Sequence, residues 1–360
     1  MGYISGMKPA HLNVPSMKNP SIFLPPVLAL LSLAATVSHA AEIWSESFDD
    51  PDTAKVGFNN GTASQYSFED YSAMTLTSVN PATGPVSHTI PAAPHTLAGS
   101  ASTRGLLLRV VYETVTANPD PDPPTITATA VTERILNVVA LTEKDGGRLA
   151  LEDNYRLKFD FYLRLSPSIT LSPTTGLANE TGTTENMLWG IGYNAFLPMA
   201  RGWRTGRGNG MWGWLTTEGG YGTTVGSDAS LYKGPTALIA RNLGKAASVD
   251  VPDTVNFFTP AFGLASSPMP SAPANQWVQA VITVSGGLVT LEYKGEGVAG
   301  TVLTKFATNE NGVGSTAGTV MVGYEDASSS KSFAELDQWM LLDNMVVEDI
   351  TPPTLAVTPD

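Results

Sequence analysis

The chain has 360 residues, with 20 Lys and Arg against 33 Asp and Glu, a net charge of −13, and no cysteine. Such a surface repels nucleic acid and anionic lipid, which must be neutralised by Lys and Arg, and no basic cluster rises against it. The missing cysteines exclude disulfide staples, thiolate metal sites and a cysteine nucleophile.

At the N-terminus Lys8 and Lys18 precede the apolar run IFLPPVLALLSLAA, Ile22 to Ala35, followed by TVSHAAE. Ser38 and Ala40 place small residues at positions −3 and −1 of a cleavage after Ala40. This predicts a secretory signal peptide over 1–40 and an exported protein: periplasmic, cell-surface or extracellular. The run is too short, and too interrupted by Pro25 and Pro26, for a good membrane span. Met1, Met7 and Met17 are all candidate starts, and Met17 would give a leader of ordinary length. Cleavage removes two lysines and no carboxylate, leaving 18 Lys and Arg against 33 Asp and Glu, a net charge of −15.

The remainder reads as short strands separated by turn residues. Strand candidates in chain order are RGLLLRVVYETV from Arg104, ERILNVVAL from Glu133, YRLKFDFYLRL from Tyr155 and NMLWGIGY from Asn186. In the third, Leu157, Phe159, Phe161, Leu163 and Leu165 point one way and Arg156, Lys158, Asp160, Tyr162 and Arg164 the other, predicting one buried and one wet face. WVQAVITVSGGLVTLEYKGEG, from Trp277, alternates on both sides of Gly286-Gly287 and predicts a hairpin. GTVMVGYE from Gly318 and WMLLDNMVVED from Trp339 complete the set. Helical signals are thin: SKSFAELDQWMLLDNM ends β-branched, and SDASLYKGPTALIARNLG holds at most a short turn.

Pro-, Ala-, Ser- and Thr-rich insertions near 80–102, 118–124, 166–184 and 260–276 read as surface loops on the rim. Together these features predict an all-β, antiparallel two-sheet β-sandwich over 41–350, then a Pro/Thr-rich linker or tail over 351–360.

Residues 202–222, GWRTGRGNGMWGWLTTEGGYG, collect rings and polar groups that suit a sugar: Trp203, Arg204, Arg207, Asn209, Trp212, Trp214, Glu218 and Tyr221. Trp212 and Trp214 share a face of a strand. They form either a two-ring stacking platform or, on the inner face, core; burial statistics for tryptophan favour core. Trp203 and Tyr221, on the flanks, are expected to be exposed.

The strands SESFDD (Ser45 to Asp50), YRLKFDFYL and LLDNMVVED (Leu341 to Asp349), with the Trp-led hairpin, resemble secreted bacterial laminin-G-like, concanavalin A-like jelly rolls. The resemblance implies that the first and last strands pair. It also implies a structural calcium held near that pairing, with Glu46, Asp49 and Asp343 in suitable segments. The fold hosts lectins, glycosidases, lyases and inert spacers alike.

After cleavage the chain keeps two histidines, His88 and His95, both in the loop near 80–102. They read as solvated loop residues; a zinc site or a Ser-His-Asp hydrolase would need them, and no G-x-S-x-G elbow exists. The Glu-x-Asp-x-x-Glu run of laminarinase-type members is absent. The sequence thus points to a non-catalytic carbohydrate-binding or adhesive module of the cell envelope, its partner a polysaccharide or cell-surface glycan. The alternatives are a glycosidase or lyase on the same fold, or a spacer without ligand in which every tryptophan is buried.

Overall fold

Period-two alternation and frequent Gly, Pro and Asn breaks leave this chain little choice but short paired strands. A computed structural model describes residues 40–60, 64–80, 84–101, 103–110, 135–164, 185–193, 210–216, 229–233, 237–241, 273–295, 301–307, 315–326 and 339–351. The strands are β1 (Ala41–Glu46), β2 (Val56–Asn60), β3 (Ser64–Asp70), β4 (Thr75–Asn80), β5 (Gly84–Thr89) and β6 (Arg104–Val110). Then come β7 (Ile135–Ala140), β8 (Tyr155–Arg164), β9 (Glu185–Tyr193), β10 (Met211–Thr216), β11 (Ala229–Lys233) and β12 (Ala237–Arg241). The last are β13 (Trp277–Ser285), β14 (Leu288–Gly295), β15 (Thr301–Ala307), β16 (Thr319–Asp326) and β17 (Trp339–Asp349). Among the described residues the one helical element is a 3-10 turn, Tyr71–Ala73. The short turn expected after Ser227 is instead the strand pair β11–β12.

Two antiparallel sheets carry the fold. One has eight strands, ordered β15-β14-β13-β8-β17-β6-β3 with β1 also on β17; the other has seven, ordered β12-β11-β10-β9-β16-β7-β2. Sequence neighbours β6 and β7, β8 and β9, and β16 and β17 lie in opposite sheets, a winding of jelly-roll kind. The chain is thus an all-β two-sheet sandwich, as the alternation predicts, and Ser38–Asp360 forms one compact unit.

One core fills the space between the sheets. Leu157, Phe159, Phe161 and Leu163 of β8 and Val278, Ala280, Ile282 and Val284 of β13 meet Leu136 and Val138 of β7, Met187, Trp189 and Ile191 of β9, and Val320 and Val322 of β16. Trp189 lies inside this core and donates its indole N–H to the Tyr293 hydroxyl at 3.0 Å, so the buried donor is satisfied.

β1 and β17 pair antiparallel, as the resemblance implies. The hairpin at Ser285–Leu288 turns on Gly286 (φ 57°) and Gly287 (φ 80°), the two left-handed residues that a type I′ turn requires. Residues 1–39, which include nearly all of the expected signal peptide, and residues 352–360 lie outside the described set, as do residues 118–124 and 166–184.

The structure changes one expectation about exposure. Asp160, Tyr162 and Arg164, on the predicted wet side of β8, are buried, and only Arg156 and Lys158 of that row are half-exposed. The reason is the segment 71–101. It does not sit on the rim as a plain loop: it forms the two-stranded sheet β4–β5 and seats Tyr71, Leu76, Ile90 and Ala93 on Tyr162, Trp277, Trp339 and Leu341. The outer face of the eight-stranded sheet thereby gains a small core of its own.

Candidate functional site

β10 has the sequence MWGWLT, and its alternation splits the strand between two environments. Met211 and Leu215 point into the core between the sheets, while Trp212 and Trp214 point to the outer face of the seven-stranded sheet. There they stack with Tyr232 of β11, at centroid distances of 4.7 Å and 5.0 Å, and lie 5.7 Å from each other. Both indoles are 1% exposed. The expectation that the pair is buried therefore holds, but on the opposite face of the sheet from the shared core.

Register lines up the rest of this face. One row across the strands is Tyr232, Trp212, Gly190, Met321, Val139; the next is Trp214, Leu188, Gly323, Asn137; the third is Thr216, Asn186, Glu325. Asn137, Asn186 and Thr216 are 0% exposed, and neither carboxamide nor the hydroxyl has a hydrogen-bond partner. Asn137 lies across Gly323: a Cβ built there would come within 2.6 Å of its Oδ1, so the glycine makes room for the carboxamide.

Unpaired buried amides are rare because each costs about 1–3 kcal/mol. Two carboxamides and a hydroxyl bearing that cost, beside a cluster of three stacked rings, is an arrangement that packing does not need. An apolar side chain of the same shape would stabilise the sheet. Sequence reasoning found the two indoles and missed Tyr232 and the amides, since a lone Asn in NVV or ENM looks like any other. The available signal was parity: each falls in phase with the outer face of a strand whose other phase carries the core residues Leu136 and Val138, or Met187, Trp189 and Ile191.

A second polar cluster lies on the outer face of the other sheet, under segment 71–101. Asp160 of β8 and Asp343 of β17 are opposite each other in register, and both are buried. Asp160 Oδ1 is 2.8 Å from His95 Nδ1, and its Oδ2 accepts from the His95 N–H (3.2 Å) and from Asn344 Nδ2 (3.3 Å). Asp343 Oδ2 accepts from the Tyr71 hydroxyl (2.9 Å) and Oδ1 from the Asn344 N–H (2.7 Å). The Tyr71 oxygen accepts the Ala93 N–H, and Asn344 Oδ1 accepts the Leu97 N–H.

Burial pushes the Asp343 carboxyl up to about 8; the bonds from Tyr71 and Asn344 oppose this, while the Asp160 and Asp49 charges add to it. Burial and the Asp343 charge push the Tyr71 phenol up as well. Asn344 reaches these partners because it sits at a bulge in β17 with φ of 50°. His95, expected to be a solvated loop residue, thus bonds a fully buried carboxylate while remaining half-exposed itself.

Of the residues expected to hold calcium, Asp49 and Asp343 lie close enough for their charges to interact, and each of the three is engaged by protein donors. The Glu46 carboxylate accepts from the Phe48 and Lys55 N–H groups, Asp49 Oδ2 from Ala101 N–H and the Ser47 hydroxyl, and Asp343 belongs to the cluster just described. Among the described residues no group of three or more His, Asp or Glu side chains is placed to hold a metal ion. Asp49 Oδ1 is buried without a partner, while the other oxygens named here are turned to protein donors. Trp203, Arg204, Arg207, Asn209, Glu218 and Tyr221 lie outside the described residues, and so does the side chain of His88.

No family model matches this chain, and no curated protein matches it. Solved structures similar to it include peanut lectin with a nine-residue peptide, at 8% identity and a TM-score of 0.37, covering 83% of this chain and 98% of the lectin. Lectin II from Ulex europaeus is 9% identical with a TM-score of 0.37, covering 86% of this chain and 99% of that one. The exoplasmic/lumenal domain of VIP36, in a form bound to Ca2+ and Man2, is 11% identical with a TM-score of 0.35, covering 62% and 74%. Identities and scores this low leave the strand pairing and the shared core described above as the ground on which the two-sheet antiparallel sandwich stands.

Proposed function

We propose that this protein is an exported, non-catalytic carbohydrate-binding module of the cell envelope, and that its site is the outer face of the seven-stranded sheet. The observation that supports the reading is the pairing of stacked Trp212, Trp214 and Tyr232 with the unpartnered Asn137, Asn186 and Thr216. Pyranose rings offer C–H faces to aromatic side chains and hydroxyls to amides, so a glycan satisfies both halves of the arrangement. All six described tryptophans are buried, which a ligand-free spacer also predicts. The unpaired amides are what a spacer has no use for.

The test is retention of the secreted chain on immobilised neutral polysaccharides (cellulose, xylan, mannan and laminarin), run with calcium and with a chelator. Retention on at least one, unaffected by chelation, is the expected result. Failure on all four under both conditions refutes the reading.

The polysaccharide-degrading alternative draws on one observation, the facing carboxylates Asp160 and Asp343 beside His95. Every oxygen of the pair already accepts a hydrogen bond from the protein or meets the His95 ring, and segment 71–101 lies over them, so they serve packing. Release of reducing ends from those same polysaccharides, abolished in Asp160→Asn, would instead establish an enzyme.

A further inference from the structure

We infer that the protein self-associates through β3, the outer strand of the eight-stranded sheet, which pairs antiparallel with β3 of a second copy about a two-fold axis at Ser67. The starting observation is how the sheet edges end. An open edge strand offers unpaired N–H and C=O groups to any other chain, and proteins blunt such edges with bulges, prolines or charges. Three edges here carry that device: the register slips by one extra residue at Ile43 of β1, Ile239 of β12 and Leu303 of β15. β3 runs its seven residues, SQYSFED, with no slip, no proline and no charge before Glu69. β2, also without a slip, has five. Among the described residues β3 pairs with β6 alone, and Gln65, Tyr66 and Asp70 along it are exposed.

The inner partner sets the hydrogen-bonding phase of this edge. The Tyr71 N–H donates to the Thr103 carbonyl directly opposite, continuing the register that pairs Ser64 with Val110 and Asp70 with Arg104. Gln65, Ser67 and Glu69 share that phase and direct their backbone groups to β6; those of Ser64, Tyr66, Phe68 and Asp70 point outward. An axis at Ser67 sets Tyr66 opposite Phe68, and Ser64 opposite Asp70, of the second copy, so all four outward residues are paired. Axes at Tyr66 or Phe68 leave two residues of each strand over, and an axis at Glu69 sets two glutamates face to face, which destabilises.

The side chains are self-complementary in the same register. Tyr66 and Phe68 lie opposite the core residues Leu108 and Leu106, and Tyr66 stacks on Phe58 with centroids 3.6 Å apart. Tyr66 is still 45% exposed, and Phe68 of the second copy comes to lie beside it. On the other face Gln65 meets Glu69 of the second copy, and Arg109 stands behind Gln65 in the same row. Among the described residues neither Arg109 nor Glu69 has an ion pair, and Arg109 Nε is buried without a partner. Two strand spacings, about 10 Å between Cα atoms, let an arginine and a glutamate meet over the glutamine between them. Symmetry makes this pair twice. A standard interface takes about 20–30 residues a side, and this one adds little to its strand, so the dimer is roughly micromolar or weaker.

The experiment joins sedimentation velocity on the secreted chain, from about 1 to 300 μM, to disulfide capture. The chain has no cysteine, so one introduced thiol reports without ambiguity. Ser67→Cys sets two thiols on the axis at a non-hydrogen-bonded pair, with Cα atoms ~4.5 Å apart, within the ~4.4–6.8 Å that a disulfide spans. Gln65→Cys lies four residues from its symmetry mate, about 14 Å away, and cannot bridge. Dimer should grow with concentration, and Ser67→Cys should be captured about ten-fold faster than Gln65→Cys or better. Ser67→Asp, which opposes like charges on the axis, should weaken the dimer about ten-fold or more. Arg109→Glu should weaken it too, and adding Glu69→Arg should restore it.

A chain that stays monomeric throughout, equal capture of the two cysteine variants, or a folded Ser67→Asp protein that dimerises like its parent would overturn the inference. Should Ser67→Asp fail to fold, the charge exchange between Arg109 and Glu69 decides in its place, and a dimer indifferent to it would overturn the inference equally.

Discussion

Replacing Asp343 by Asn tests the energetics of the buried carboxylate pair. In the folded protein burial raises this carboxyl from 3.8 to about 8. Between those values the folded state holds a proton that the unfolded chain has released. Stability from this group is therefore full below about pH 4 and is lost as pH rises through 8, the reverse of a salt-bridged carboxylate. One such proton gives a slope of at most about 1.4 kcal/mol per pH unit, and a rise from 3.8 to about 8 corresponds to a loss on the order of 5 kcal/mol by pH 8.

The groups that face Asp343 are Asp160 from β8, Asp49 from the loop after β1, Tyr71 from the covering segment and the neighbouring Asn344 N–H. Asparagine keeps the shape, accepts the Asn344 N–H and carries no charge at any pH. Urea unfolding of both proteins at half-unit steps from pH 4.5 to 8.5 should give curves that diverge, with the variant ahead of the parent by several kcal/mol at pH 8. Parallel curves across that range would mean that the carboxyl is ionised throughout and that burial does not control it.

Other outcomes follow from single side chains. Asn186→Leu removes an unpaired buried carboxamide and should stabilise the fold by about 1–3 kcal/mol, seen as a higher unfolding temperature by calorimetry; a drop of similar size would show that the amide has a structural partner. Gly192→Ala places a Cβ into the Ser315 carbonyl at a φ of +71° and should cost several kcal/mol or abolish soluble expression, read against Gly286→Ala, whose Cβ meets open space. Tyr71→Phe strands Asp343 Oδ2 and the Ala93 N–H; the expected loss is about 2–4 kcal/mol, with faster proteolysis near residues 91–101 as the covering segment loosens.

Much of the sandwich was legible because its signal is local. Alternation in YRLKFDFYL and VQAVITV needs no partner to be read, and Gly286-Gly287 names its own turn. What alternation cannot say is what lies beyond the polar side of a strand. Asp160 and Tyr162 look wet in sequence and are buried, since the segment that covers them comes from more than sixty positions earlier, with Pro- and Ala-rich chemistry typical of loops. The same blindness affected β10. The spacing of Trp212 and Trp214 placed them on one face, but only the pairing with β9 and β11 told which. His95 is a loop residue and half-exposed, as its sequence suggests, but its bond to Asp160 is not legible there, because folding alone brings the two together.

The position of β17 carries a consequence for how the molecule matures. This strand, translated after every other one described, is inserted in the middle of the eight-stranded sheet, flanked on one side by β8 and on the other by β6 and β1. Until residues 339–349 have left the ribosome, the sheet is two fragments with raw edges and an unpaired β1, and β6 and β8 have no strand between them to zip against. Folding of this sheet must therefore wait for β17, and the edges of β6 and β8 stay open to wrong pairing for the whole of that interval.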